Sequence, residues 1–174
     1  MPLTADGILA AFRALSDELG RQGERADIAV VGGAALVLLF RARESTKDVD
    51  AYFLRPEASL IRSAATVVSA RLALPDDWLN DGAKGYLVGI SEGAVLFHST
   101  SLTVRSAALP QLLAMKLAAW RDAIDRSDAE LLLAHIAGSA EEIWAALRPF
   151  VPPHLLDKAS YAFEDLWETL HGHP

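Results

Sequence analysis

Asp48-Val-Asp-Ala-Tyr-Phe-Leu54 is the stretch of sequence on which the predicted fold depends. It has the pattern of a strand, and alternation along a strand places the carboxylates of Asp48 and Asp50 on one face, with Cα atoms about 6.5–7 Å apart. Two negative charges this close repel each other unless a cation or a proton holds them together. The pair therefore marks either a ledge for Mg²⁺ or the end of a surface loop, and the neighbouring residues decide between these interpretations.

The segment before this strand predicts a shorter strand, a glycine corner and a helix. Ile28-Ala-Val-Val31 is an apolar run that ends at Gly32-Gly33, and residues 34–42 are apolar nearly all round, which is typical of a core helix. Glycines at such a corner let backbone N–H groups approach an anion closely, and the helix N-terminus adds partial positive charge. Taken alone, the glycine pair is equally explained by a tight turn under a packed helix.

The remaining elements divide the chain into two halves. In the first half, apolar spacing predicts helices over residues 4–20 and 56–72 and strands over 28–31, 48–54, 93–98 and 102–106. The second half has only helices, predicted over 109–125, 128–137, 140–149 and 154–170. The predicted fold class is α/β (α+β): a mixed sheet with flanking helices in residues 1–107, and a C-terminal helical bundle in residues 108–174 that packs on it as a single compact unit.

The charge balance limits the kinds of partner that this chain can hold unaided. The formal net charge is −7, from 16 Lys and Arg against 23 Asp and Glu, and no basic run occurs. Proteins that bind nucleic acid usually present a basic face, because neutralising phosphates supplies much of the affinity. An RNA substrate would therefore depend on a few placed residues or on a partner protein.

Composition also bears on the compartment. The chain has no cysteine, which excludes disulfides and thiolate metal sites. Its longest apolar stretch, residues 28–40, is well short of the ~20 residues needed to cross a bilayer. The N-terminus lacks a basic region followed by an apolar core. We therefore expect a cytoplasmic protein with no membrane partner.

The segment that leads into this strand, Arg43-Glu-Ser-Thr-Lys-Asp-Val-Asp50, carries a distinctive motif. A Gly-Gly corner, an apolar helix and then Arg-x-x-Thr-x-Asp-hydrophobic-Asp resembles the nucleotidyltransferases of the DNA polymerase β-like superfamily. The chain is most similar to the small bacterial branch that contains the AbiEii-type toxins. The resemblance implies that Asp48 and Asp50 coordinate Mg²⁺, that Gly32-Gly33 holds the β and γ phosphates, and that Arg43 and Thr46 belong to the nucleotide site. Without the resemblance, Arg43 and Asp48 would be a surface ion pair and Thr46 a turn cap.

The resemblance also implies an activity. Such an enzyme moves a nucleoside monophosphate from an NTP to an RNA or protein acceptor and expels pyrophosphate, and in the toxin-like relatives a cognate antitoxin is a partner. The residue types suit this chemistry, since Mg²⁺ prefers carboxylate oxygens together with phosphate oxygens and water. A metal clamp on an in-line displacement stabilises both the attacking and the leaving oxygen.

A second set of site residues is predicted in the first helix of the helical half. The resemblance implies that Lys116 meets the nucleotide phosphates, that Arg121 supports them, and that an Asp-rich segment with Asp125 closes the site. Each residue also has a structural explanation. Lys116 borders an apolar stripe and can extend along it to solvent, Asp125 can close the helix end, and Asp128 follows Ser127 in a Ser-x-x-Glu capping box.

The chain departs from the superfamily pattern at one position. The superfamily usually adds a third carboxylate from a neighbouring strand, whereas residues 102–106 offer Thr103 and Arg105, and Glu92 lies in a turn. Three possibilities stay open: an enzyme with one metal ion, a second metal completed by Asp125 or Asp128, and a protein that binds nucleotide without transfer.

One polar connection, Trp78-Leu-Asn-Asp81 and the following Lys84, also resembles the same branch. Trp78 can be a packed anchor, Asn80 and Asp81 can cap backbone groups, and Lys84 can approach a phosphate. An ordered structural loop explains these residues equally well.

Overall fold

A computed structural model of the chain describes residues 2–172, so the outermost residues of the two predicted halves lie outside the described part. The chain divides into two compact units. The first, which we call the sheet unit, comprises Met1–Gly85 and Glu92–Ala107. The second, the helical unit, comprises Tyr86–Ser91 and Ala108–Pro174.

The sheet unit is mixed α/β, as the sequence predicts. Its helices are α1 (Ala5–Arg21), α2 (Gly32–Phe40) and α3 (Ala58–Leu72). Its strands are β1 (Leu3–Thr4), β2 (Ala26–Val30), β3 (Ser45–Thr46), β4 (Val49–Arg55), β5 (Leu79–Asn80), β6 (Val95–His98) and β7 (Leu102–Ser106). A 3₁₀ turn at Gly82–Tyr86 follows β5.

Five of these strands form one sheet in the order β5-β4-β2-β7-β6, and β1 pairs with β3 in a separate ribbon. The central strand β2 is antiparallel to β4 and parallel to β7. Strand β5 runs parallel to β4, and β6 is antiparallel to β7. The sheet is therefore mixed, and the strand that carries Asp50 lies directly beside the strand that leads into the glycine corner.

The register divides the sheet into two unlike faces. One face, the apolar face, contains Ile28, Val30, Ala51 and Val104, which are all buried. The other, which we call the polar face, contains the half-buried Asp50, Tyr52 and Arg105, because Tyr52 and Arg105 both pair with Ala29 and Asp50 lies two residues from Tyr52.

Helix α1 covers the apolar face. Its fully buried Phe12 lies with its ring centroid 6.1 Å from that of Phe97 on β6 and 6.4 Å from that of Trp78. Tilted ring pairs at this distance stabilise a core beyond the area that they bury. Thr4 is the N-cap of α1, since its side-chain oxygen accepts a hydrogen bond from the backbone N–H of Gly7 at 3.1 Å.

The helical unit contains α4 (Leu109–Ala119), α5 (Ala123–Leu133), α6 (Ala140–Leu147) and α7 (Leu156–His171). The predicted single helix over 109–125 is therefore wrong. Helix α4 ends at Ala119, because the next residue, Trp120, adopts a left-handed conformation with φ of 36°. Nζ of Lys158 on α7 donates a hydrogen bond to the carbonyl of Ala119. A left-handed residue is a common way to end a helix, but it is usually glycine.

The new helix begins because of Asp122. Its side chain accepts hydrogen bonds from the backbone N–H groups of Ile124 and Asp125, each at 3.0 Å. Asp122, and not Ser127, is therefore the N-cap of α5, and Asp125 lies in the first turn of α5 instead of at the end of α4. Ile124, which the single helix would bury, is 58% exposed.

Several other boundaries differ by about a turn or less. Helix α2 begins at Gly32 itself, so both glycines of the corner are helical, and α3 begins at Ala58, two residues after Pro56. Among the described residues, no helix combines the length and the apolar character needed to cross a membrane.

The backbone of Gly93 lies unusually close to the backbone at the end of β7. Its backbone N–H donates to the carbonyl of Ser106 at 2.9 Å. A Cβ at this position would lie 2.7 Å from that carbonyl oxygen and 2.5 Å from the carbonyl oxygen of Ala107. Backbone atoms on both sides leave no room for a side chain.

We therefore expect Gly93→Ala to lower the free energy of unfolding by about 3 kcal/mol, the upper part of the range for overpacked sites, because backbone atoms must move. Gly85→Ala is the matched control, since nothing lies within 4 Å of a Cβ there. It should change stability by less than about 0.5 kcal/mol. Urea denaturation of both variants measures the difference, and equal stabilities would contradict the close approach.

Candidate functional site

The glycine corner lies against the second aspartate. The backbone N–H of Val31 donates to the carbonyl of Asp50 at 2.9 Å, which fixes the end of β2 to β4. Gly32 has φ of +63°, and a Cβ on it would lie 3.4 Å from Oδ2 of Asp50. The Asp50 carboxylate is thus placed at the first turn of α2, where the helix carries partial positive charge.

The second glycine of the corner lies against the Arg-x-x-Thr lead-in. A Cβ on Gly33 would lie 2.9 Å from Nη1 of Arg43 and 3.0 Å from Oγ1 of Thr46. The chain reaches this position because Arg41 ends α2 in a left-handed conformation, and β3 then carries Thr46 back alongside. The structure therefore brings Gly32, Gly33, Arg43, Thr46 and Asp50 together.

A pocket lies on the lead-in itself. It has a volume of about 580 Å³, and it is lined by Pro2, Arg43, Ser45, Thr46, Lys47 and Pro75. Two cationic side chains and two hydroxyls are groups that bind phosphate oxygens. Lys47 is a residue that the sequence reasoning missed, although its position between Thr46 and Asp48 was a usable signal.

The first aspartate has a partner that the sequence did not reveal. Asp48 lies just before β4, and its Oδ2 accepts a hydrogen bond from Nδ2 of Asn80 at 3.3 Å. The backbone N–H of Gly82 donates to Oδ1 of Asn80 at 3.0 Å. Because a backbone N–H can only donate, it fixes which end of the amide is the oxygen and leaves the NH₂ group facing Asp48. Asn80 therefore both caps its loop and orients Asp48.

Trp78 anchors this loop. It is fully buried, and its Nε1 donates to the carbonyl of Ala65 on α3 at 3.1 Å. Its own carbonyl accepts from the N–H of Val49 at 2.7 Å, so the start of β4 is tied to the same anchor. This anchor therefore holds Asp48 and Asp50, the residues on either side of Val49, in place.

Lys84 and Asp81 form an ion pair of their own. Asp81 Oδ2 lies 3.0 Å from Lys84 Nζ and 2.6 Å from Nη2 of Arg62. Burial raises the pKa of Asp81, but the hydrogen bonds from Lys84 and Arg62 outweigh it and leave the pKa below its ordinary value. The ammonium of Lys84 is therefore paired with the carboxylate of Asp81.

Strand β7 offers no carboxylate to the polar face; Asp27 on β2 does lie on this face, opposite Thr103, but its carboxylate is paired with Arg55. Thr103 and Arg105 project from β7 on this face, and Glu92 is exposed in a loop. Within residues 2–172, no group of three or more His, Cys, Asp or Glu side chains is close enough to hold a metal ion. Asp48 and Asp50 alone still fit Mg²⁺ bound with a nucleotide, since Mg²⁺ commonly takes one or two carboxylates plus phosphates and water.

Lys116, Arg121 and Asp125 come together in the helical unit, with Asp128. Nζ of Lys116 lies 3.0 Å from Oδ1 of Asp125 and 2.7 Å from Oδ2 of Asp128. Both carboxylates are buried, and the lysine side chain is only 14% exposed. Arg121 donates to Oδ2 of Asp125 from its backbone N–H and from Nε. Two cations and two carboxylates balance one another, so this cluster does not depend on a phosphate for its charge.

The pKa of Asp125 reflects this arrangement. Burial raises it, but the hydrogen bond from Lys116 and those from Arg121 outweigh burial and leave the pKa below its ordinary value. A carboxyl with a lowered pKa in the folded state stabilises that state above its ordinary pKa, and the stabilisation is lost as the pH falls through the folded value. The cluster should therefore stabilise the α4–α5 corner at neutral pH and fail in acid.

We expect Asp125→Asn to lower the free energy of unfolding at pH 7 by about 1–3 kcal/mol, because a buried cation loses a charged partner. The difference from wild type should shrink as the pH falls below the ordinary carboxyl pKa of about 4, because the unfolded chain is protonated first and the folded carboxyl, whose pKa is lowered, only at a still lower pH. The exposed Asp157→Asn should cost less than about 1 kcal/mol. Denaturant titrations at several pH values measure this, and a pH-independent difference would contradict it.

The Asp48–Asn80 contact predicts energetic coupling. In a double-mutant cycle of Asp48→Ala and Asn80→Ala, the two losses of unfolding free energy should differ from additivity by about 1 kcal/mol, the worth of a charge-assisted hydrogen bond that is partly solvated. Glu44→Ala with Asn80→Ala is the control pair, because Glu44 is exposed, and it should add within about 0.3–0.5 kcal/mol. Equal coupling in both pairs would remove Asn80 from the site.

Comparison with known proteins assigns no family. No family model matches the chain, and neither a curated protein nor a solved structure matches it. The interpretation of the site therefore depends on its own residues and their geometry.

Proposed function

We propose that this protein is an Mg²⁺-dependent nucleotidyltransferase with a nucleotidyltransferase-like sheet, which moves a nucleoside monophosphate from an NTP to an RNA or protein acceptor. One observation carries the proposal. The glycine corner that opens α2 lies against Asp50 on one side and against Arg43 and Thr46 on the other. Residues suited to a metal ion and residues suited to phosphates therefore meet at one helix N-terminus.

The chain's own residues take distinct roles in this proposal. The backbone N–H groups at Gly32 and Gly33 bind the β and γ phosphates, as helix N-termini do for anions. Arg43, Thr46 and Lys47 line the adjoining pocket and bind phosphate oxygens. These contacts hold the α-phosphorus near the carboxylates and orient the bond to pyrophosphate for in-line displacement.

Asp48 and Asp50 would hold the metal ion, with Asn80 fixing the orientation of Asp48. When bound, Mg²⁺ supplies positive charge to the reacting phosphate oxygens. In the transfer, the acceptor hydroxyl oxygen bonds to the α-phosphorus, the bond from that phosphorus to pyrophosphate breaks, and the hydroxyl proton passes to solvent.

Lys116, Arg121 and Asp125 are assigned a structural role in this proposal. The Lys116 ammonium already faces two buried carboxylates, so a phosphate would have to compete with both of them. A cognate antitoxin belongs to the same proposal as a partner, on the strength of the sequence resemblance.

A second candidate function is nucleotide binding without transfer. It is favoured by β7, the strand from which the resemblance leads us to expect a third acid, because this strand offers Thr103 and Arg105 to the polar face instead. An arginine cannot accept a proton from the acceptor hydroxyl or hold a second metal ion. The two candidates share the nucleotide site and differ only in turnover.

The test is transfer of label from α-³²P NTPs in the presence of Mg²⁺ and total RNA or cell lysate. Asp48→Asn and Asp50→Asn should each reduce transfer at least a hundredfold, or about 2.7 kcal/mol of transition-state stabilisation. Glu44→Gln, an exposed acid in the same segment, should retain transfer. Folding of each variant is checked by its unfolding midpoint.

The outcomes separate the candidates. Mg-NTP binding by the wild type without transfer to any acceptor would favour the second candidate. Absence of NTP binding at millimolar concentration would contradict both.

A further inference from the structure

Arg105 is distinctive among the arginines of this chain. Eight of the others contact an acid or belong to the site, and Arg13, Arg25 and Arg148 are exposed to solvent. Arg105 is half-buried, yet across residues 2–172 it makes no side-chain hydrogen bond and no ion pair. No buried side-chain nitrogen or oxygen lacks a partner among the described residues, so the guanidinium nitrogens of Arg105 reach solvent and are accessible to a ligand.

The register places Arg105 close to the proposed reaction centre. Arg105 pairs with Ala29, Ala29 pairs with Tyr52, and Asp50 follows on the same face two residues along β4. The small side chain of Ala29 lies between the larger side chains of Arg105 and Tyr52. The polar face therefore presents an arginine and an aromatic ring on either side of an alanine, beside the carboxylate of Asp50.

The charge of Arg105 favours one class of ligand. A guanidinium repels metal cations and binds phosphate through two parallel N–H donors. The triphosphate already has the glycine corner, Arg43, Thr46 and Lys47 in the proposed site. The phosphate that remains for Arg105 is one that the acceptor brings.

We propose that Arg105 binds a backbone phosphate at the end of a nucleic-acid acceptor, so that the acceptor is an RNA strand and not a protein side chain. This inference rests on the proposed nucleotidyltransferase function. Tyr52, in the same row, offers its ring to a base of that strand, since stacking on aromatic side chains is how single strands are commonly held. A single placed arginine also agrees with a chain of net charge −7 that has no basic run.

The experiment measures binding of a fluorescein-labelled ten-nucleotide single-stranded RNA by anisotropy, across a series of salt concentrations. Arg105→Gln should weaken binding about tenfold and reduce the slope of log K against log salt by about one, because one phosphate contact is lost. Arg105→Lys should recover part of the affinity. Arg13→Gln and Arg25→Gln, exposed arginines of the same unit, should leave both quantities nearly unchanged.

Mg-ATP binding, measured on the same variants, separates this inference from the proposed function. Arg105→Gln should leave the Kd for Mg-ATP within about twofold, whereas Asp50→Asn should weaken it. Weakened Mg-ATP binding with unchanged RNA binding would assign Arg105 to the nucleotide and overturn the inference. Equal RNA binding by Arg105→Gln and wild type would overturn the inference as well. So would transfer of the α-³²P label to a protein together with RNA binding that does not depend on Arg105. If Mg-ATP does not bind at all, the proposed function fails whatever the RNA result.

Discussion

The antiparallel pairing of β2 with β4 is the constraint on which the candidate site depends. Its last hydrogen bond, from Val31 N–H to the Asp50 carbonyl, fixes the strand before the glycine corner to the strand that carries the acids. Helix α2 must then begin beside Asp50, and the chain that leaves α2 must return past Gly33. A slip of one residue in this pairing would turn Asp50 to the apolar face, opposite Val30, and Ala51 to the polar face. Burial of that apolar face under α1 therefore also specifies which carboxylate faces the corner.

The parts of this arrangement that were predictable follow short-range rules. The strand, the corner and the helix that follow Ile28 are adjacent in sequence, so periodicity and glycine placement were sufficient to predict a mixed α/β fold. The end of α4 was not predictable in this way, because Trp120 takes a left-handed conformation that glycine normally supplies. Asp122 then starts a new helix, and a continuous apolar pattern gave no sign of the break.

Contacts between residues that are distant in sequence were also not predictable. Asn80 and Asp48 are brought together by the buried Trp78, which ties their loop to the start of β4. No local pattern encodes that pairing. That Lys116 faces phosphates stays a prediction. The sequence did not reveal that, after the helix break, Asp125 and Asp128 lie 3.0 and 2.7 Å from its ammonium.

The polar face differs from a three-acid site in its charge. A third carboxylate on β7 would add to the repulsion between Asp48 and Asp50 and would require more bound cation to offset it. Arg105 has the opposite effect, because it places a positive charge on this face in the row next to Asp50. In the proposed function, a bound divalent ion would further offset the negative charge of the two acids and would favour the anionic groups of a nucleotide and an acceptor. Because β7 carries an arginine and no acid on this face, that strand cannot take the acceptor's proton, and in the proposed function this step would depend on solvent or on the nucleotide itself.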